Sequence, residues 1–181
     1  MAIVVKRSLT GNQLENVNPA NQIIALDGNE GTGSRWRKLC SIRFSDHRQG
    51  EFTFLKIFIG AGNNGSGAQE AYIDLIGQQG WTGANGGRAG WLATLHPGVT
   101  SFSTSNIQIK VIANSNNNYD IWFYSVQNYC VPNVLFIPSV KMLAEGTSAG
   151  TTTCICYPTG WTSTSPSGTE CNVTLRAENL S

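Results

Sequence analysis

The segment Phe52-Thr53-Phe54-Leu55-Lys56-Ile57-Phe58-Ile59 is apolar on both faces of an extended chain, with Phe52, Phe54 and Phe58 on one side and Leu55, Ile57 and Ile59 on the other. Such a strand must be covered twice. The chain therefore has to supply a second sheet against one face, and a neighbouring subunit or loop against the other. The surrounding sequence agrees. In Asn106–Ile112, Ile107, Ile109 and Val111 share one face with Gln108 and Lys110 opposite, the period-2 pattern of a half-buried strand. Tyr119-Asp120-Ile121-Trp122-Phe123-Tyr124 is aromatic and β-branched and follows the turn cluster Asn114-Ser115-Asn116-Asn117-Asn118. Trp36–Phe44, Ala71–Ile76, Trp91–His96 and Val134–Val140 complete the series. No window supports an amphipathic helix of three turns, and there is no internal repeat or heptad run. The expectation is an all-β chain folded as an antiparallel, jelly-roll-like β-sandwich.

Three zones organise the chain: a polar, Asn-rich arm over 1–33, a β-sandwich over 34–143, and a Cys/Thr/Gly-rich β extension of the same domain over 144–181. The arm holds two short apolar pieces, Ile3-Val4-Val5 and Ile23-Ile24-Ala25-Leu26, in polar sequence. That pattern suits a segment ordering on a partner.

Composition removes several function classes. There are 12 Lys+Arg against 11 Asp+Glu, a net charge of +1, and charged residues are only 13% of the chain. A protein that binds nucleic acid through phosphates carries a basic excess, which this chain lacks. Seven Phe, five Tyr and five Trp, with 40% hydrophobic residues, give it a core that a disordered chain does not have. No apolar run approaches the roughly 20 residues that span a bilayer, so no membrane insertion is expected. The opening Met1-Ala2-Ile3-Val4-Val5-Lys6-Arg7 is too short in its apolar part for a secretory signal, and its charges follow that part. Folding in a cytoplasm is expected. Cys40, Cys130, Cys154, Cys156 and Cys171 include no CxxC pair. A zinc site would require Cys154, Cys156 and Cys171 to gather with a further ligand; the spacings instead read as buried free thiols, with no metal and no cofactor.

Catalytic patterns are weak. Asp46-His47-Arg48 reads as a polar turn between strands, and His96-Pro97-Gly98 as a strand running into a turn. There is no nucleophile elbow. Glu51, Glu70 and Asp74 are carboxylates at strand positions and are read as solvated or cross-strand polar residues. The Gly-rich stretches 60–67 and 83–90 lack a Walker lysine and open onto no helix, so they read as long loops. No enzymatic activity is expected. What remains is binding by tryptophans flanked by amides and hydroxyls. Trp91 and Trp122 lie inside strand patterns and are read as core. Trp81 and Trp161 lie in Gly/Thr-rich context, and with Asn63, Asn64 and Asn85 they are the candidate receptor- or glycan-binding residues.

The order Trp36-Arg37-Lys38-Leu39-Cys40-Ser41-Ile42, a strand over Phe54–Ile59, a Gly/Asn-rich loop, the Ile107–Val111 strand, an Asn-rich turn and Tyr119–Tyr124 resembles the C-terminal heads of bacteriophage tail fibres and viral fibre knobs. The resemblance spans roughly Ser34–Val140. It implies a β-sandwich that forms a homotrimer, docks to other virion proteins through the 1–33 arm, and attaches the particle to a host surface glycan or protein. The expected location is the virion, after assembly in the host cytoplasm. The chain departs from the pattern in having no collagen-like or β-helical shaft and in adding the tail over 144–181. Those departures favour a short spike or head over a long fibre. The alternatives are a capsid decoration or cement protein or tail adaptor with an architectural role, and a carbohydrate-binding module.

Overall fold

The computed structural model describes residues 6–7, 14–16, 23–25, 28–29, 33–44, 51–62, 69–79, 90–98, 102–115, 117–138, 153–157 and 160–178. In chain order the strands are β1 (Lys6–Arg7), β2 (Leu14–Asn16), β3 (Ile23–Ala25), β4 (Arg35–Arg43), β5 (Glu51–Ala61), β6 (Gln69–Gln79) and β7 (Gly90–Pro97). They continue with β8 (Ile107–Ser115), β9 (Asn118–Ser125), β10 (Val131–Pro138), β11 (Thr153–Cys156), β12 (Trp161–Thr162), β13 (Thr169–Glu170) and β14 (Leu175–Ala177). Among the described residues there is no helix. The expected all-β sandwich is what forms.

One sheet runs β1-β2-β11-β4-β9-β8-β13, with β12 continuing beside β4; the other runs β14-β7-β6-β5-β10-β3. All pairings are antiparallel except β14 with β7. The two sheets bury one core between them. Leu55, Ile57, Ile59, Ile73, Leu75, Ala93, Leu95, Val134 and Phe136 come from the second sheet, and Ile42, Ile107, Ile109, Val111, Ile121 and Phe123 from the first. Alternation makes this possible: each of these strands sends every second side chain inward. β4 breaks the rule once. A β-bulge between Lys38 and Cys40 lets both Leu39 and Cys40 turn inward.

The zone read as an N-terminal arm supplies β1–β3, and two of these are hydrogen-bonded into the sandwich, β2 to β11 and β3 to β10. These three strands are part of the sheets and do not stand away from them. The tail contributes β11–β14: β11 lies between β2 and β4, β12 pairs with β4, and β13 and β14 each form a sheet edge.

Candidate functional site

The outer faces of the two sheets are finished differently. On the first sheet, Ile112 belongs to the outward set of β8 yet is buried. The reason is the segment from β12 to β13. β12 pairs with β4 and β13 with β8, so residues 163–168 must cross three strands. Four inter-strand spacings amount to about 19 Å, within reach of that connection. Lys110 Nζ meets Ser165 Oγ at 3.4 Å and Glu170 Oε2 at 3.2 Å, and it lies 5.2 Å from the centre of the Trp36 ring. Trp36 packs on Tyr124 at 5.0 Å. Further along the same face, Ser41 Oγ donates to Asp120 Oδ1 at 2.5 Å and Lys38 Nζ pairs with Asp120 Oδ2 at 2.7 Å. This face is strapped by its own chain.

The second sheet has no such strap among the described residues, and its outward side chains form rows across the strands. Register places Ile137 beside Phe54, Phe54 beside Ile76 and Ile76 beside Leu92. Ile137, Phe54 and Leu92 are 39%, 40% and 47% exposed, so this row is an open apolar band. In the next row Lys56 Nζ pairs with Asp74 Oδ1 at 3.3 Å. The row after that aligns Asn133, Phe58, Tyr72 and His96.

At that end of the sheet lies a cavity of about 490 Å³. Phe58 and Tyr72 are 6.5 Å apart between ring centres, and Tyr72 stacks on His96 at 4.2 Å with the planes only 13° apart. Lys56 Nζ sits 4.3 Å from the Tyr72 ring centre, approaching from β5 while His96 approaches from β7. The Tyr72 ring is therefore held between two neighbours and offers the cavity its edge. His96 is fixed as firmly: Nε2 lies 3.0 Å from Asp74 Oδ2, and Nδ1 lies 2.5 Å from Glu178 Oε2. Glu178 is brought there by β14 and by its own N–H donating to the Leu95 carbonyl at 2.8 Å.

Two glycines shape the cavity. A Cβ at Gly60 would meet no atom within 4 Å, so the place of its missing side chain is empty space. A Cβ at Gly98 would lie 2.7 Å from the Glu70 carbonyl oxygen. Glycine at 98 lets the β7 end close against β6, with its N–H donating to that same carbonyl at 3.3 Å.

Of the sequence candidates, Trp161 is described. It is half-buried, edge-on to Phe123 at 6.2 Å, with the Arg37 guanidinium 5.6 Å from its ring centre. It covers the edge of the core. Trp81, Asn63, Asn64 and Asn85 lie outside the described residues, as do Asp46, His47 and Arg48. The strand ends bracketing these candidates are at opposite ends of the sheet: Gly62 and Gln69 at the cavity end, Gln79 and Gly90 at the other. Trp91 is core, as expected. Trp122 is not: it sits half-buried on the outward face, in register with Lys38 and Lys110. Glu51 starts β5, with its side chain outside the described set. Glu70 is exposed at the cavity rim, whereas Asp74 is engaged by Lys56 and His96. Glu70 and Asp74 are four residues apart on one strand, about 13 Å along it. Paired glycosidase carboxylates stand roughly 5–9.5 Å apart.

All five cysteines are buried and free. Cys40 faces Cys156 across β4 and β11, and Cys154 Sγ lies 3.8 Å from Cys156 Sγ. Cys171 belongs elsewhere, its N–H donating to the Val111 carbonyl at 2.8 Å beside β8. The four-ligand gathering of Cys154, Cys156 and Cys171 does not form among the described residues. Burial pushes the Cys40 and Cys154 thiols well up, while hydrogen bonds from Cys154 and Cys40 hold Cys156 down.

No protein-family model matches the chain, and no curated protein matches it in sequence. Among solved structures it is similar to Pantoea stewartii WceF, described as a glycan biofilm modifying enzyme with a bacteriophage tailspike-like parallel β-helix fold. The TM-score is 0.41 at 12% identity, covering 75% of this chain and 22% of that one. A likeness at that level fixes neither the fold family nor the function.

Proposed function

We propose that the chain is a structural protein of a bacteriophage particle, the head of a fibre or spike that attaches the particle to the host surface. It acts as a homotrimer, with residues 1–33 docking to other virion proteins. The observation that carries this reading is the open row Ile137, Phe54, Ile76 and Leu92 on the outer face of the second sheet. Four adjacent apolar side chains in register make a band that a soluble monomer would normally cover. The adjoining Lys56–Asp74 row places both signs of charge beside the band, so a second copy meets a complementary edge. The order of strand-like segments in the sequence, which resembles that of fibre heads, supports the same assembly.

Light scattering behind size exclusion is expected to give three times the 19.5 kDa chain mass at micromolar concentration. Phe54→Asp with Leu92→Asp is expected to return the monomer. A wild-type monomer overturns the assembly. Labelled trimer is expected to bind bacterial cells in a strain panel; binding to none of them overturns attachment and leaves the architectural role.

A further inference from the structure

The cavity at the β5–β6 end has the features of a ligand site: a concavity of about 490 Å³, aromatic walls, few polar groups and a fixed frame. We infer that it binds a neutral hexopyranose unit of a polysaccharide. The site lies on the sheet face, two rows from the apolar band, about 13 Å along the strands. The inference does not require the virion reading, because any assembly of this chain carries the same groove.

The chemistry selects the class. A pyranose ring has an apolar C–H face and a rim of hydroxyls, so it needs an aromatic surface with acceptors beside it. Phe58 supplies a ring, and its electron-rich face attracts polarised C–H groups. Tyr72, clasped between Lys56 and His96, supplies its edge and hydroxyl. Glu70 is exposed at the rim, and among the described residues no cation pairs with it; its two oxygens suit a vicinal diol.

Charge excludes the obvious competitors. Glu70 is the one carboxylate among the residues that line the cavity, and no lysine or arginine lines it; behind the wall Lys56 pairs with Asp74, and His96 lies between Asp74 and Glu178. A phosphate or a uronic acid would meet the Glu70 carboxylate with no lysine or arginine in the lining to receive it. The same contacts make the frame rigid. A ligand has little side-chain entropy to remove on binding, which favours recognition of a small, weakly interacting sugar.

Gly60 gives the test. Because a Cβ there meets nothing within 4 Å, the strand accepts a side chain at 60, and Gly60→Phe sends a ring into the groove. Full-length protein is applied to an array of neutral, amino and acidic glycans, and hits are titrated calorimetrically. Neutral hexose glycans are expected to bind. Gly60→Phe and Glu70→Gln are each expected to lower affinity at least 10-fold with unchanged melting, whereas Trp161→Ala, which sits on the other sheet, leaves affinity within 2-fold. Four results would each overturn the inference: no glycan bound, acidic glycans preferred, Gly60→Phe binding as tightly as wild type, or loss confined to Trp161→Ala. A groove that takes apolar peptides from a displayed library in place of glycans overturns the saccharide class. The oligomer mass, read separately, decides the assembly reading, so the two failures are distinguishable.

Discussion

Trp91 and Gly77 are register partners on β7 and β6, and the indole lies so close that a Cβ at Gly77 would sit 2.5 Å from Trp91 Cζ3. The ring cannot retreat, because Phe44 and Tyr119 pack on it at 6.2 and 5.5 Å. Gly77→Ala is therefore an overpacking change, expected to cost about 1–3 kcal/mol in chemical denaturation; a neutral result would show that the core yields. Cys130 sets a pH dependence. Burial pushes its thiol from 9.0 up to about 11. The folded state holds this proton more tightly than the unfolded state, so the stabilisation is fully present below pH 9 and is lost as pH rises through 11. Two pH units correspond to about 2–3 kcal/mol. Burial lowers Arg37 to about 10, with the opposite sign, so the window from 9 to 10 belongs to the raised thiols, Cys130 together with Cys40 and Cys154. Thermal melting is expected to fall from pH 8.5 to 10, and Cys130→Ala is expected to make that slope shallower by the share of one thiol.

At the scale of elements, the strap over the first sheet depends on Gly168, which has a φ of +134° and would place a Cβ 2.6 Å from Ile112 Cγ2. Both strain and clash oppose a side chain. Gly168→Ala is expected to cost about 1–3 kcal/mol and to raise amide exchange in residues 163–170 ahead of the central strands. The contrast between strap and strands also explains what could be read in advance. Period-2 alternation in Ile107–Val111 and the two-faced run Phe52–Ile59 announced β8 and β5, and the same pattern located five more central strands. β12, β13 and β14 are two or three residues long, too short for any periodicity to show. The bulge at Lys38–Cys40 was hidden because consecutive buried residues look like the end of a strand. The groove was hidden for another reason: Phe58, Tyr72 and His96 become neighbours only through register. An outward position next to a strand-ending glycine at 60 was the one local sign of it. The tryptophans drew attention by residue type, whereas Trp161 is held by Phe123 and Arg37, contacts that no local pattern encodes.

For the whole molecule, near-neutral charge makes association a matter of shape and apolar area. Between 50 and 500 mM NaCl the self-association constant is expected to change by less than about 3-fold, since a net charge of +1 leaves little long-range field to screen. Analytical ultracentrifugation at the two salts checks this, and a steep salt dependence would assign the interface to charged residues in place of the apolar row. The parallel β14–β7 pairing carries a further consequence, in time. β14 joins a strand whose His96 lies 82 positions before Glu178, so its docking is a non-local step that waits on the end of the described chain. During synthesis the β7 edge stays unpaired until residues 175–177 have left the ribosome. Nascent chains side by side on one message each carry that open edge, and a β14 from one can dock on the β7 of the next. Folding within one chain and mispairing between chains thus compete for the same β7 edge, and the speed of translation from β7 to β14 sets the balance between them.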